Sequence, residues 1–374
     1  MSVPLWIWQQ PEWPGFRVCP ERLGTLLSAC GQAQERLRQR LAGLDETAAV
    51  SASLDALLQN IVTSSAIEGE RLNVGSVRAS LARRLGLNET GRTTPRSEGL
   101  AELLVDATRE CQSPLDLQRL LDWHHWLFPT EDSLSARPLR VGTLRGEEPM
   151  QVVSGPLDRP TVHFEAPPRE GLEHQLAAFL AWFERSRGDA SLDPVLRAGI
   201  AHFWFVTLHP FDDGNGRLTR AITDRALAQG EGRTIRFYAM SASILEDRAG
   251  YYRVLEASQK GDLDITAWLQ WFLSTLLNSL EQALGRIERV LMKARFWHVY
   301  RGQVLSAEQI KVLNRLLDGG ERGFEEGLNA AQYQAVAKVS KATATRHLSD
   351  LVQKGCLVKL PGGGRSTRYR VAQV

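Results

Sequence analysis

The sequence predicts a mainly helical protein with one β-hairpin and a C-terminal winged helix-turn-helix module. Two observations lead to this fold class. Apolar residues recur at three- and four-residue intervals through much of the 374-residue chain, which is the pattern of helices with one buried face. Before residue 300, strand-like sequence is confined to residues 149–164, so a single hairpin is expected within a helical body.

The composition is that of a folded, globular chain. The hydrophobic fraction is 43% and the charged fraction is 24%, which excludes wholesale disorder. The length suits two or three domains rather than one. The net charge of +2 is too small to make the whole chain a binder of polyanions.

Cysteine spacing and apolar run lengths exclude further classes of protein. The four cysteines lie far apart and form no C-x-x-C pair, so neither a disulfide scaffold nor a structural zinc site is expected. The N-terminus lacks the basic segment of a signal peptide. The longest apolar runs, such as Ala177–Phe183, are far shorter than the about 18–20 residues of a membrane span. A soluble, cytoplasmic protein without membrane contact is the expectation.

The N-terminal part is predicted to hold an arm, a helix and a loop. Tryptophan and proline are concentrated in the first 20 residues, which indicates an extended arm packed on the surface. Ser53–Ile67 has the pattern of a helix whose leucines face inward. Residues 88–97 contain glycine, threonine and proline and are typical of a loop.

The central part follows with the hairpin and two long helical patterns. Valine and phenylalanine flank Ser154-Gly155-Pro156, which predicts a hairpin across residues 149–164. Apolar residues recur at helical spacing over Leu172–Phe183 and again over Leu269–Leu280. The second of these helices is expected to end near residue 300.

The tail differs in charge and in pattern from the rest of the chain. Residues 300–374 carry 12 basic and 6 acidic side chains, a net of +6, whereas the other 299 residues carry 33 and 37, a net of −4. Its pattern of helix, helix-turn-helix and hairpin predicts a winged helix. In order, the predicted elements are helices at Ala307–Leu317 and Ala331–Lys338, a helix from Thr343 or Thr345 to Lys354 with Gly355 as its stop, and strands at Cys356–Leu360 and Thr367–Val371.

The chemical centre of the sequence is H-P-F-D-D-G-N-G-R-L-T-R at residues 209–220. It follows the apolar segment Phe203–Leu208, which is predicted to be a buried helix, and a new helix is expected from Asn215 or Gly216. A glycine-rich loop that opens a helix is an anion site, because the free N–H groups point outward and the helix dipole favours negative charge.

Charged side chains around this loop also favour a site for a phosphate-containing ligand. Arg217 and Arg220 lie three residues apart on one helix face, and two guanidinium groups beside free amides suit a polyphosphate. Asp213 offers a hard oxygen ligand for Mg²⁺. His209 has the ordinary pKa of a general base. A plain turn with a capping aspartate and solvated arginines explains any one of these residues, but not all of them at this spacing.

This stretch resembles the signature of the Fic family, H-x-F-x-[D/E]-G-N-G-R-x-x-R, at every position. The resemblance implies a Fic helical core that transfers AMP from ATP to a protein hydroxyl. The Doc-type kinases of the same fold usually have Lys at the position of Gly216, which favours nucleotidyl transfer over phosphorylation. The implied roles are His209 as general base, Phe211 as the anchor of the loop, Asp213 for Mg²⁺, Gly214, Asn215 and Gly216 around the α- and β-phosphates, Arg217 on the β-phosphate and Arg220 on the γ-phosphate.

A second motif, S-S-A-I-E-G at residues 64–69, resembles the inhibitory signature of the family, [S/T]-x-x-x-E-[G/N]. Ser64 and Glu68 are four residues apart, so they are expected on one helix face. The resemblance implies that Glu68 pairs with Arg220, displaces the γ-phosphate and inhibits transfer. In some relatives this glutamate also supports removal of AMP, so Glu68 is a candidate for both roles.

Two further segments resemble parts of the family pocket. Thr161, Val162 and His163 match the flap strand, where an extended target segment would pair by main-chain bonds. Tyr251 and Gln259, near Arg248, match the adenine side of the ATP pocket. The other histidines, among them His124, are interpreted as packing or surface residues.

The predicted organisation is an N-terminal extension with the inhibitory helix at residues 1–100, a Fic core at 101–300 and a winged helix at 305–374. The predicted function is ATP- and Mg²⁺-dependent adenylylation of a Ser, Thr or Tyr hydroxyl on a target protein. The target, which the chain itself could supply, and the formation of a homodimer are left open. The alternative is a nucleotide-sensing regulator that binds DNA through basic residues of the tail: Lys338, Lys341, Arg346, Arg365, Arg368 and Arg370.

Overall fold

A computed structural model shows a chain that is mainly helical and forms two compact units. The first unit comprises Met1–Leu37 and Ala49–Ala283, and the second comprises Arg38–Ala48 and Leu284–Val374. The structure describes residues 6–88, 90–129, 139–155, 159–232, 237–319, 324, 327–361 and 367–372.

Eleven of the helices that the structure describes precede residue 301. They are α1 (Gly24–Leu41), α2 (Glu46–Ile67), α3 (Val74–Arg84), α4 (Pro95–Arg109), α5 (Leu117–Leu127), α6 (Leu172–Arg185), α7 (Pro194–Leu208), α8 (Asn215–Glu231), α9 (Met240–Glu246), α10 (Arg248–Gln259) and α11 (Thr266–Tyr300). The boundaries between the two units fall within α1, α2 and α11.

The predicted hairpin is present between α5 and α6. Strand β1 (Gln151–Ser154) pairs antiparallel with β2 (Thr161–Glu165). Val152 pairs with Phe164 and Val153 with Val162, so the register skips His163 on the second strand. His163 is therefore the extra residue of a β-bulge, a feature that turns a side chain away from the regular alternation.

Helix α7 lies at the centre of the first unit. Asp193 caps it by accepting the N–H groups of Val195 and Leu196 at 2.8 and 3.4 Å, and Pro194 occupies the first turn, where no helical N–H is needed. The apolar segment Phe203–Leu208 at its C-terminal end is buried, as predicted. Helix α8 packs along α7, so the loop between them is fixed at both ends by buried helices.

Three N-terminal expectations differ from the structure. Helix α2 begins at Glu46 instead of Ser53. The loop predicted for residues 88–97 ends at Thr94, because the Thr94 side chain accepts the Ser97 N–H and starts α4 at Pro95. The arm is not simply extended: it contains short 3₁₀ turns at Ile7–Gln9 and Pro20–Arg22, and Ile7 is fully buried. Its first five residues lie outside the described part of the chain.

The second unit contains a three-helix and hairpin sequence close to the predicted one. It comprises α12 (Ala307–Leu317), α13 (Ala330–Ala337), α14 (Lys341–Gln353), β3 (Leu357–Lys359) and β4 (Tyr369–Val371), the two strands pairing antiparallel. Helix α14 starts earlier than Thr343 because Ser340 caps it. The assignment as a winged helix stays a prediction, and its loop residues 362–366, with Arg365, lie outside the described residues.

Among the helices that the structure describes, each is too short or too polar to cross a lipid bilayer.

Candidate active site

The loop between α7 and α8 has a backbone that its sequence explains. His209 ends α7 in the left-handed region at φ 49°, and Gly214 opens α8 at φ 82°, a value that glycine adopts without strain. Asn215 clamps the loop with its side chain: Oδ1 accepts the Phe211 N–H at 3.0 Å, and Nδ2 donates to the Phe211 carbonyl at 2.8 Å. Phe211 is fully buried, as predicted for the anchor of the loop.

His124 supports the loop from α5. Its ring stacks on Phe211 with centroids 4.2 Å apart. Its Nδ1 accepts the Gly142 N–H at 2.9 Å, so Nε2 carries the proton and donates to the Asp213 carbonyl at 3.1 Å. Burial lowers the pKa of His124 to about 4, so the ring stays neutral. His124 was predicted to be a packing residue, and its ring does pack on Phe211, but its hydrogen bond to the loop was not predicted.

Arg145 holds the other side of the loop, and nothing in the sequence pattern indicated it. Its Nε donates to the His209 carbonyl at 2.9 Å, and its own N–H donates to the Pro210 carbonyl at 3.0 Å. The residue is 2% exposed. These bonds fix the main chain next to His209 and leave the imidazole free to be oriented separately.

The imidazole of His209 is set in one tautomer by a main-chain acceptor. Nδ1 lies 3.1 Å from the Val206 carbonyl, and because a carbonyl only accepts, Nδ1 carries the proton. Nε2 is then the basic nitrogen. Burial lowers the pKa of His209, the Val206 carbonyl opposes this shift, and the Arg145 guanidinium adds to it. The ring is therefore neutral, which is the state that a general base requires.

The first turn of α8, next to His209, has backbone N–H groups that are free to bind a ligand. The first N–H groups of a helix have no acceptor within the helix, so those of Asn215, Gly216 and Arg217 face outward. Since the Asn215 side chain is used inside the loop, only its main chain is available to a ligand. Glu68 approaches Gly216 so closely that a side chain at this position would collide with its carboxylate.

Arg220 is held by the segment that the inhibitory motif indicated. Its Nε donates to Ser64 Oγ at 2.8 Å, and its Nη2 donates to the Ser64 carbonyl at 2.9 Å and to Glu68 Oε1 at 2.8 Å. Helix α2 ends at Ile67, so Glu68 lies in the turn after the helix instead of on its last face. Burial alone would raise the pKa of Glu68, but the charge and hydrogen bond of Arg220 lower it overall, so the carboxylate is ionised.

Arg217 pairs with a second carboxylate, that of Glu70, which the sequence pattern did not indicate. Its Nη1 donates to Glu70 Oε2 at 3.0 Å. Arg96 also forms a bidentate interaction with Glu70, in which Nε donates to Oε1 and Nη2 donates to Oε2, each at 2.8 Å. The Arg217 guanidinium lies over the Phe128 ring at 4.9 Å. The turn after α2 thus neutralises both arginines of the signature, Arg220 through Glu68 and Arg217 through Glu70.

A cavity of about 900 Å³ brings most of the predicted site residues together. That volume is of the size that binds drug-sized ligands. The predicted residues that line it are His209, Asp213, Gly214, Asn215, Gly216, Glu68, His163, Tyr251 and Gln259. Arg217, Arg220 and Ser64 line a second, smaller pocket instead, and Arg220 is joined to the wall of this cavity through Glu68. Thr161 and Val162 are exposed on the hairpin.

The two residues predicted for the adenine side are mostly buried. The Tyr251 hydroxyl lies 3.0 Å from His202 Nε2, and Gln259 Nε2 donates to Thr207 Oγ1 at 3.1 Å. They are 2% and 3% exposed. Their polar atoms therefore have protein partners, and only their edges reach the cavity. Tyr252, the neighbour of Tyr251, contributes a ring to the same wall.

Asp213 suits a metal only together with a ligand that brings its own oxygens. The described residues contain no group of three or more His, Cys, Asp or Glu side chains that could hold an ion. The Asp213 carboxylate is exposed to the cavity, with Oδ1 accepting the Gly214 N–H at 2.6 Å. One carboxylate is what Mg²⁺ uses when phosphates and water supply its other ligands.

The chain is similar in sequence to known families and proteins. Residues 114–227 match the model of the Fic/DOC family, and residues 6–87 match a domain of unknown function, DUF4172. The chain is 24% identical over 258 residues to the protein adenylyltransferase fic-1 of Caenorhabditis briggsae, covering 67% of this chain and 45% of that protein. It is 26% identical to the protein adenylyltransferase Fic of Drosophila persimilis, covering 62% and 42%. The chain thus spans less than half the length of these curated relatives.

Solved structures show the same fold. A Fic family protein from Desulfovibrio desulfuricans superposes with a TM-score of 0.54 at 19% identity, over 96% of this chain and 98% of that one. A Fic domain containing signaling protein from Bacteroides thetaiotaomicron gives 0.53 at 18% identity, over 70% and 97%. The helices, the loop after α7 and the family match coincide, and residues 114–227 of this chain are therefore a Fic domain.

Proposed function

We propose that this protein is an adenylyltransferase, which transfers AMP from ATP to a hydroxyl group of a protein. The observation that carries the proposal is the convergence of a neutral histidine and the N-terminus of α8 on one cavity, with two buried arginines in the first turns of the same helix. The curated names of the relatives support the same reaction. The chemistry follows from what each of these groups can do.

The phosphates of ATP fit the start of α8. Backbone N–H groups and the positive end of the helix dipole favour the α- and β-phosphates at Gly214–Gly216. Arg217, 7% exposed, would bind the β-phosphate, and Arg220, 3% exposed, would bind the γ-phosphate. Groups that are already fixed by packing stabilise the developing charge without having to reorganise during the reaction.

His209 would activate the acceptor. Its Nε2 is unprotonated and faces the cavity, so it can take the proton of a Ser, Thr or Tyr hydroxyl while the oxygen attacks the α-phosphorus. The bond between the α-phosphorus and the bridging oxygen breaks, and pyrophosphate leaves. Mg²⁺, held by Asp213 and the phosphates, would neutralise charge on the leaving group.

The exposed edge of the hairpin would bind the target. Strand β2 pairs with β1 on one side, and Thr161 and Val162 are exposed. An extended segment of a target protein can add to such an edge through main-chain hydrogen bonds, which would bring its hydroxyl towards the cavity. His163 on the same strand lines the cavity itself.

Glu68 would inhibit the enzyme by occupying Arg220. In the proposed pose the γ-phosphate takes the Nη2 group of Arg220, which now donates to Glu68 Oε1 at 2.8 Å. Two anions cannot share this donor without repulsion, so ATP in a productive pose requires Glu68 to leave. The buried position of Arg220 makes the competition strong, because a buried guanidinium needs an anionic partner in either state.

DNA binding by the C-terminal unit stays a second proposal. Lys341 and Arg346 are exposed on α14, and Arg370 is exposed on β4. Exposed basic residues on a helix and an adjacent strand are suited to phosphate contacts along a duplex. Such binding would weaken steeply with salt, since neutralised phosphates release counterions.

The experiment that tests the proposed reaction compares two labelled forms of ATP. The protein is incubated with Mg²⁺ and either α-labelled or γ-labelled ATP, together with a bacterial protein extract as a source of acceptors. Adenylyl transfer puts α-label, and no γ-label, on protein. Label from the γ position would mean phosphorylation, and label from neither position would contradict the proposal.

Replacing the base should abolish transfer to other proteins. We expect His209→Ala to lower the rate of α-label transfer by about 10²–10⁴-fold, the usual contribution of a general base. Binding of ATP should stay within a few-fold, because the phosphate ligands are elsewhere. His174→Ala, at an exposed histidine of α6, serves as a control for a lost imidazole outside the site and should leave transfer unchanged. Transfer by His209→Ala at near wild-type rate would show that another group takes the proton.

Removing the inhibitory carboxylate should activate the enzyme. We expect Glu68→Gly to raise the rate of transfer by about tenfold or more, since a charge-assisted hydrogen bond of roughly 1.5–3 kcal/mol becomes available to the γ-phosphate. Adding Arg220→Ala to this variant should remove part of the gain. Glu12→Gly, at a carboxylate that is 77% exposed, is the matched control and should change nothing. A folded Glu68→Gly protein that is no faster than wild type would rule out inhibition by Glu68.

A further inference from the structure

A chain of hydrogen bonds on the hairpin side of the cavity joins a serine, a histidine and a glutamate. Ser154 Oγ lies 2.6 Å from His163 Nε2, and His163 Nδ1 lies 2.8 Å from Glu256 Oε2. This is the order of groups that activates a serine nucleophile in many unrelated folds. These hydrogen bonds do not involve His209, whose imidazole is bonded to the Val206 carbonyl of α7.

The fold brings the three residues together from three elements. Ser154 is the last residue of β1, and Glu256 lies on α10. His163 is the bulged residue of β2, and a bulge turns a side chain out of the regular alternation. The bulge therefore explains how one histidine contacts the neighbouring strand through one nitrogen and a helix through the other.

The proton positions follow from the partners. A carboxylate only accepts, so His163 Nδ1 carries a proton and donates to Glu256. In the neutral ring Nε2 is then unprotonated and accepts the Ser154 hydroxyl. The hydrogen bond from Lys260 lowers the pKa of Glu256, burial opposes this less strongly, and the bond from His163 lowers it further. Glu256 is thus ionised and can stabilise the imidazolium that forms when His163 takes a proton.

All three side chains line the same cavity as the loop after α7. Ser154, His163 and Glu256 form part of its wall, and His209 and Gly214–Gly216 form another part. Ser154 is exposed, so its hydroxyl is accessible to a molecule in the cavity. A hydroxyl with its own base and its own carboxylate, inside the cavity proposed for ATP, is placed to react with that nucleotide.

We propose that Ser154 is a self-adenylylation site with His163 as its base. This rests on the proposed function, because ATP in the same cavity is the donor. Ser154 Oγ attacks the α-phosphorus, His163 Nε2 takes the hydroxyl proton, the bond to the bridging oxygen breaks and pyrophosphate leaves. The product is a phosphodiester between Ser154 and AMP, with Glu256 balancing the charge of the protonated His163.

The test maps the modified residue in the 374-residue protein. Protein carrying Glu68→Gly is incubated with Mg²⁺ and α-labelled ATP, then digested, and the peptide containing Ser154 is examined by mass spectrometry for one added adenylyl group. We expect Ser154→Ala to remove this label and Ser154→Thr to retain it at residue 154. His163→Gln should lower it by about 10²-fold or more, as expected for a lost base. Glu256→Gln should also lower the labelling of Ser154. Circular dichroism checks that each variant is folded.

Controls separate this inference from the proposed function. Ser191 is also exposed, and it donates to a carboxylate, Asp189, at 2.6 Å, but it does not line the cavity, so Ser191→Ala should leave self-labelling unchanged. Self-labelling at other residues, or at Ser154 with an unchanged rate in His163→Gln, would overturn the inference while adenylyl transfer itself stands. Absence of α-label from every protein in the reaction would overturn both.

Discussion

The ion pair between Arg220 and Glu68 is the constraint on which the rest of the site depends. Arg220 is 3% exposed, so its charge requires an anion within hydrogen-bond distance at all times. In this structure the anion is the Glu68 carboxylate at 2.8 Å, and Ser64 binds the same guanidinium through its hydroxyl and its carbonyl. The turn after α2 is thereby attached to the start of α8. Under the proposed function, a γ-phosphate that takes the Nη2 group of Arg220 must displace Glu68.

The loop between α7 and α8 is held by contacts other than the ion pair between Arg220 and Glu68. Phe211, Asn215 and His124 hold the loop by stacking and by bonds to its main chain, and Arg145 holds the segment at His209. None of these contacts involves the groups proposed to bind phosphate. A nucleotide in the proposed pose would therefore meet preorganised amides and a neutral histidine. Its binding requires displacement of the carboxylates that now pair with the two arginines, Glu68 from Arg220 and Glu70 from Arg217. Under the proposed function, this arrangement keeps the loop assembled while Glu68 holds Arg220 away from the γ-phosphate.

The sequence predicted the parts that depend on local order and missed those that depend on distant partners. The helix start at Asn215, the burial of Phe211 and the hairpin follow from spacing and turn residues over a few positions. Glu70 and Arg145 carry no local signal, because their partners lie 147 and 64 residues away. The predicted start of α14 was too late because the capping residue, Ser340, stands ahead of the apolar pattern. The bulge at His163 depends on strand pairing, which hydrophobic pattern alone cannot specify.

The most direct test of the account is the affinity of the protein for ATP and for ADP, measured by calorimetry in the presence of Mg²⁺ on the wild type and on Glu68→Gln. The account assigns Arg220 to the γ-phosphate, which ADP lacks. It therefore predicts that Glu68→Gln tightens ATP binding by about tenfold or more, the equivalent of roughly 1.5–3 kcal/mol for a charge-assisted hydrogen bond, and leaves ADP binding nearly unchanged. Equal affinities of the two proteins for ATP, or an equal gain for ADP, would contradict the claim that Glu68 and the γ-phosphate compete for Arg220.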